Sequence, residues 1–467
     1  MKPVQHRWKW MLLIGLWGSL AHATDRLDSL EVSLWNAGSR PALQQVEKQL
    51  IYTLGQGNAD TAHVYYLLSL TYLHLFMSDS TEVKLLQQAL QLAQEAIELQ
   101  PDSEGGYLAM SEMLSTLGKK PEALFLLRTL EANAQKKQKT KSWRLMFHLA
   151  RIQSQDPASL AFTLEALLKE NSSPLLQNLV LPDLVSALQL SQPQASYIKA
   201  LQQLEVRFPH PLLRHKLVSA YLEAGQVSHA QQLCQKSVQK DPRDSWMQIY
   251  TQVIRYQFLH QSEAAYHHLL ALETHTPDAL QPLLWMHLGL VQEQMGHTTA
   301  AYGYMQKSLK QNDFSPEFLE EVHQGYIHIH REPAFLSLLE HLQEEAPNHT
   351  ALYGQLGRTA SHLKRYPEAL AWYNQGLLLD PEEATFHYNK SCVLALQGKE
   401  TESLHWLQQA LELRPDLSMN AQHDTDFISI QHSDAFQALI LHSTKKQEAK
   451  AAALVDTTRP TLPAPGK

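Results

Sequence analysis

Histidine is the side chain in this sequence with the most capacity for chemistry, with 25 copies in 467 residues. Imidazole changes charge near neutrality and is the commonest side-chain ligand for transition metals. The most suggestive arrangement is Glu320-x-x-His323, which sets a carboxylate and an imidazole on one helix face, followed by His328 and His330. A carboxylate-type metal site between helices draws such a motif from two of them. No clear second motif exists, and His267, His268 and His341 fall in other segments. The histidines therefore read as surface or packed side chains, and no metal or other cofactor is expected.

Nucleophile patterns are equally sparse. Ser196-Tyr197-Ile198-Lys199 and Ser361-His362-Leu363-Lys364 match S-x-x-K, but the K-T-G element that completes that chemistry is missing. There is no H-E-x-x-H, no G-x-S-x-G and no phosphate-binding G-x-x-x-x-G-K-[S/T]. The expectation is a protein that catalyses nothing itself.

What would hold such residues in place is a large helical body. Hydrophobic residues make up 44% and charged residues 18%, enough apolar surface for a core. Net charge is -8 with no long Lys/Arg run, which argues against nucleic acid as a partner. Cys234 and Cys392 are far apart in the chain and read as buried small hydrophobes rather than a disulfide.

The N-terminus has the layout of an export signal. Lys2, Arg7 and Lys9 precede an uncharged stretch from Trp10 to Leu20, and Ala21-His22-Ala23 supplies small residues where a signal peptidase cuts. Cleavage is expected after Ala23, with a periplasmic or secreted product; an uncleaved anchor is the alternative. No later segment is long and apolar enough to span a bilayer, for which about 20 residues are needed.

Internal repetition organises the rest. Pro347, Pro381 and Pro415 recur at a step of 34 residues, as do Ala301, Phe335, Ala369 and Ser403. Gly296 and Gly398 share the frame, Leu288-Gly289 returns as Leu356-Gly357, and Ala89 to Ala123 repeats the step near the N-terminus. A period of this length signals stacked supersecondary units, each unable to bury its apolar face alone.

The segment Tyr353, Leu356-Gly357, Tyr366-Pro367-Glu368-Ala369-Leu370, Trp372-Tyr373, Leu377 and Asp380-Pro381 resembles a tetratricopeptide repeat. Copies in the same frame include Trp285, Leu288-Gly289, Gly296 and Ala301, then Leu217, Tyr221, Gly225 and Ala230, and Tyr107, Leu114, Gly118 and Pro121-Glu122-Ala123. The resemblance implies an all-α protein, a right-handed α-solenoid of helix-turn-helix units. Gly357 and Ala369 would sit where paired helices cross, and Gly225, Gly296 and Gly398 at the turn between them.

The expected organisation is a signal peptide (1–23), capping helices (24–60), N-terminal repeats (61–140), degenerate helical repeats (141–210), six units (211–417), a C-terminal capping segment (418–442) and a disordered tail (443–467). The fourth of the six units is irregular, with Phe335 where a small residue is expected. A basic, polar hinge is read at 136–141.

In the family so resembled, the first helix of each unit lines an inner face that takes peptides or helices of partner proteins. Carried over, that face holds Leu212, His215 and Ser219; Trp246, Ile249 and Val253; Leu283, Met286 and Leu290; Glu317, Glu320 and Gln324; Ala351, Gly354 and Arg358; and Thr385, Tyr388 and Cys392. Trp246, Ile249 and Met286 would form an apolar anchor, with Glu317, Glu320 and Glu321 steering a basic segment. The alternative for each is packing against a neighbouring helix. The subgroup that clamps C-terminal carboxylates needs Lys and Asn at places occupied here by His215, Ser219, Ile249, Val253, Gly354 and Arg358; only Asn389 fits. The implied function is a non-catalytic scaffold of the bacterial envelope; the alternatives are an accessory subunit of an envelope enzyme or export complex (polysaccharide, pilus or cytochrome maturation) and an enzyme with no recognisable motif. The sequons Asn171-Ser172-Ser173 and Asn348-His349-Thr350 leave a eukaryotic secretory protein open.

Overall fold

A computed structural model describes residues 26–457 except 36–39, 57–59, 79–82, 102, 118, 137–141, 155, 171–172 and 416. The expected signal peptide and almost all of the basic hinge lie outside the described residues. Among those described, twenty-four α-helices and no strand occur. They fall into two compact units, one ending at Leu233 and the other running from Cys234 to Leu454.

The N-terminal unit holds α1 (Arg26–Trp35), α2 (Arg40–Gly55), α3 (Thr61–Ser78), α4 (Val83–Leu99), α5 (Gly105–Thr116), α6 (Lys120–Lys136), α7 (Trp143–Gln153), α8 (Pro157–Glu170), α9 (Pro174–Ser191), α10 (Gln194–Arg207) and α11 (Pro211–Glu223). The boundary falls within α12 (Val227–Lys240). The C-terminal unit continues with α13 (Ser245–Phe258), α14 (Ser262–Leu272), α15 (Gln281–Gln294), α16 (Thr298–Gln311), α17 (Pro316–His328) and α18 (Glu332–Glu345). It ends with α19 (Thr350–His362), α20 (Tyr366–Leu379), α21 (Ala384–Leu396), α22 (Glu400–Leu413), α23 (Leu417–His423) and α24 (Asp434–Thr457).

Local sequence sets the helix ends. Ser142, Ser173, Asp244 and Ser315 each accept a hydrogen bond from the backbone N–H three residues on, satisfying a donor that the first turn leaves free. Proline follows the cap at Pro174 and Pro316, where its missing N–H costs nothing. The turns inside the pairs share one geometry. Gly296, His330, Lys364 and Gly398 stand 34 residues apart, and all four have φ between +56° and +84°. Behind each, the next N–H reaches back five residues, as Lys399 N to Leu394 O at 2.9 Å and Arg365 N to Ala360 O at 2.8 Å. That hydrogen bond closes a Schellman turn.

The two helices of a pair pack on each other, as α13 on α14, α15 on α16, α17 on α18, α19 on α20 and α21 on α22, and the first helix of a pair also packs on the first helix of the following pair: α13 on α15, α15 on α17, α17 on α19 and α19 on α21. Small residues allow this approach. A Cβ at Gly357 would collide with the Tyr373 ring, and one at Gly325 would lie 2.5 Å from Leu290. Phe335 fits its irregular unit by stacking between His323 and Tyr326, at 5.2 and 5.1 Å between ring centroids. Where the frame supplies Ser403, its hydroxyl donates to Ser391 O at 2.9 Å, and Ser391 Oγ donates to Ser403 O at 2.7 Å.

The stack ends on Phe427, Ile430, Phe436 and Ile440, which cover Leu407 and Leu411. The tail departs from expectation. α24 continues through Thr457, and Ser443 is buried, its hydroxyl 3.1 Å from Pro415 O. Residues 443–457 are therefore helical rather than disordered; 458–467 lie outside the described residues. The first proline of the tail is Pro460, so nothing before it forbids a helix. Both cysteines are free thiols and buried. No described helix is long and apolar enough to cross a membrane.

Candidate helix-binding groove

The inner strip expected at 211–417 is largely not a surface. Leu212, Trp246, Ile249, Met286 and Tyr388 are buried, as are Val253, Leu283, Leu290 and Cys392. Trp246 is 2% exposed and stacks on Tyr250 at 3.7 Å, and Tyr250 meets the His287 ring edge-on at 6.0 Å. The proposed apolar anchor is thus core. The physical reason is that a first helix is gripped on two flanks, by its own partner and by the first helices on either side, so its apolar face is broad.

What remains accessible there is polar. Arg358 is exposed and its Nη1 donates to Glu320 Oε2 at 2.8 Å; Gln324 donates to the other Glu320 oxygen at 2.9 Å. His215 is half-buried. Glu317 is the second residue of α17, and its side chain lies outside the described residues. Burial pushes the Glu321 carboxyl up to about 7, so it is a weak steering charge. The Glu320-x-x-His323 motif does not gather His328 or His330, both exposed. Ser196 and Lys199 are exposed on α10, and Lys364 sits in a turn; neither S-x-x-K pair shows a built nucleophile site.

The N-terminal unit holds a groove that the sequence did not announce, and it is occupied. Helix α1 packs on α2, α3 and α9, with Leu27, Leu30 and Leu34 buried along one face. Its acids meet α7. Arg144 grips Glu31 through two nitrogens, Nε at 3.1 Å from Oε1 and Nη2 at 2.7 Å from Oε2, while Nη2 also reaches Asp28 Oδ1 at 3.3 Å. Tyr66 of α3 donates to Glu31 Oε1 at 3.3 Å. A forked guanidinium holding one carboxylate this way fixes orientation as well as charge.

Trp35, one turn beyond, enters a ring pocket made by His74 of α3 and Phe147 and His148 of α7, with centroids 5.4 to 5.8 Å away. The Arg151 guanidinium lies over the indole at 4.7 Å. Below it, His148 Nδ1 is 2.6 Å from Glu112 Oε1 and Arg151 Nε is 3.3 Å from Asp183 Oδ2, linking α5, α7 and α9. Burial alone would raise the Glu112 carboxyl, but Arg151 and His148 outweigh it and hold it at about 2. Burial and Arg151 push His74 down to about 4. The floor of the pocket is thus a fixed, paired charge network, and α1 lies on it as a ligand helix would.

Two signals of this groove were present in the sequence: Leu27, Leu30 and Leu34 with Asp28 and Glu31 on a short helix, and Arg144 and Arg151 seven residues apart on one helix face. They sat in segments with weak repeat character.

This is an all-α protein of stacked helix pairs. The tetratricopeptide repeat family matches residues 350–383 and 384–417, the pairs α19–α20 and α21–α22, so residues 350–417 carry two of that family's repeats. Among solved structures it is similar to yeast Tom70, at 13% identity over 90% of this chain and 99% of that one, with a TM-score of 0.40. It is also similar to the Cut9-Hcn1 hetero-tetramer of the APC/C, at 14% identity, 90% and 96% coverage and a TM-score of 0.30. YrrB, a TPR protein with an unusual peptide-binding site, matches at 19% identity over 45% of this chain and 97% of that one, with a TM-score of 0.23. No curated protein matches the sequence.

Proposed function

We propose that the chain is a non-catalytic interaction scaffold whose N-terminal groove receives an amphipathic, acidic helix of a partner protein, and that α1 holds that groove in cis. The observation that carries this reading is the Arg144 clamp on Asp28 and Glu31 beside the Trp35 pocket. Acids at i and i+3, an aromatic at i+7 and leucines between them define what the groove accepts. A partner helix must compete with α1, so its apparent affinity is reduced by the fraction of time the groove is closed.

The test uses the full chain, a chain lacking residues 24–36, and a fluorescent peptide of residues 25–35. The shortened chain binds the peptide, the full chain binds it at least tenfold more weakly, and Glu31→Gln in the peptide abolishes binding. Equal binding to both chains, or none to the shortened one, overturns the reading.

We further propose export to the bacterial envelope, on the basic, apolar and small-residue pattern ending at Ala23. N-terminal sequencing of protein from native cells then begins at Thr24. Recovery of Met1 or Lys2 in a membrane fraction overturns it.

A further inference from the structure

The second metal-ligand motif that the sequence did not supply is made by the fold. His323 of α17, Glu332 at the start of α18 and His362 at the end of α19 bring one imidazole nitrogen, one carboxylate oxygen and a second imidazole nitrogen within 4.8 Å of one another. His323 Nε2 is 3.2 Å from Glu332 Oε1, and His362 Nδ1 is 2.6 Å from the same oxygen. We propose that this trio is a binding site for a divalent transition-metal ion of the zinc type, held by two imidazoles and one carboxylate with a further position open to solvent or to a partner's side chain.

The donor set selects the ion. Calcium and magnesium take all-oxygen shells, and copper(I) takes sulfur, whereas imidazole with carboxylate suits zinc and its neighbours. Distances agree. Ligands about 2.0–2.1 Å from a tetrahedral ion stand about 3.3 Å apart; the His323–Glu332 pair has that spacing now. The His362–Glu332 pair stands at 2.6 Å and must open by roughly 0.7 Å to reach that spacing, a movement open to His362 because its side chain is exposed.

The surroundings are those of a prepared ligand. His323 is 3% exposed and its ring is stacked on Phe335 with an interplanar angle of 19°, so its direction is fixed. Its other nitrogen, Nδ1, is 3.1 Å from the Gln355 side-chain amide. That amide can present its oxygen instead, accept the Nδ1 proton and leave Nε2 free for the ion, the outer contact that orients a ligating histidine. Three helices from two successive pairs meet at this point, so the ion would tie α17–α18 to α19.

The test is equilibrium dialysis of the chelator-stripped full chain against Zn²⁺, repeated on variants. The wild type takes up one equivalent saturably, and His362→Ala and Glu332→Gln each weaken that uptake at least tenfold, while His328→Ala, on the helix that carries His323, leaves it unchanged. His362 is exposed and ends its helix, so its variant folds. No saturable equivalent in the wild type, uptake unchanged by His362→Ala, or loss instead with Asp426→Asn at the separate Cys392–Asp424–Asp426 cluster overturns the proposal.

Discussion

Arg144 and Glu31, 113 residues apart in sequence, form a forked ion pair in which the carboxylate is 1% exposed and the guanidinium 21%. Arg144→Met leaves that carboxylate buried without its cation, a loss of about 3–5 kcal/mol for a fully buried pair. The molecule has a less costly response, which is to release α1. The expected outcome is loss of hydrogen-exchange protection over Arg26–Trp35, with α3 to α9 still protected. Global unfolding, or unchanged α1 protection, would contradict this account.

Trp246 fills space between α13 and its neighbours. Trp246→Ala should destabilise the chain by about 3–5 kcal/mol, seen as a lower denaturation midpoint. The loss should concentrate in units adjacent to α13, because a stack communicates through nearest neighbours. A midpoint within experimental error of the wild type would show that the indole is not core.

Lys364 occupies, at φ +60°, a turn position that Gly398 fills in the next pair and Gly296 fills two pairs earlier. A side chain in this conformation costs roughly 1–2 kcal/mol. Lys364→Gly should therefore stabilise the protein by about 1 kcal/mol, after the added freedom of the unfolded glycine is deducted. His330→Gly should act in the same direction. Thermal melts of both variants measure it, and a fall in midpoint for both refutes it.

His287 is 5% exposed, and burial pushes its pKa from 6.5 down to about 3. The Tyr256 hydroxyl is 2.9 Å from its Nδ1, and Tyr250 meets its edge; both are neutral. The unfolded chain takes up a proton near pH 6.5 that the folded chain refuses, so stability is complete above that pH. It is lost as pH falls from about 6.5 towards 3, on the order of 2–4 kcal/mol from this group. His287→Gln, which cannot titrate, should flatten the acid limb of stability against pH. An unchanged slope would remove His287 from that account.

The repeat frame was readable because, at its recurring positions, it is written in residues with strong backbone preferences. Proline stops a helix and glycine permits a left-handed turn, and both recur at a fixed step. His330 and Lys364 take the same turn without glycine, so the composition hid two of the four turns at that step. Burial was harder to read. Trp246, Ile249 and Met286 show helical spacing whether they face a ligand or a neighbouring helix, and only the packed stack distinguishes the two. The groove was least legible, since Glu31 and Arg144 are ordinary surface residue types whose meaning comes from long-range proximity. Residues 443–457 misled through their lysines, which are good helix formers.

The seating of α1 also fixes an order of events. Its partners on α7 and α9 are made more than a hundred residues after it, which at about 5–20 residues per second is several seconds to tens of seconds of synthesis. Through that interval Leu27, Leu30 and Leu34 have only α2 and α3 to pack on, and the groove is incomplete. Contacts of such sequence separation form late in folding, so the first of the described helices to be made is among the last to complete its docking.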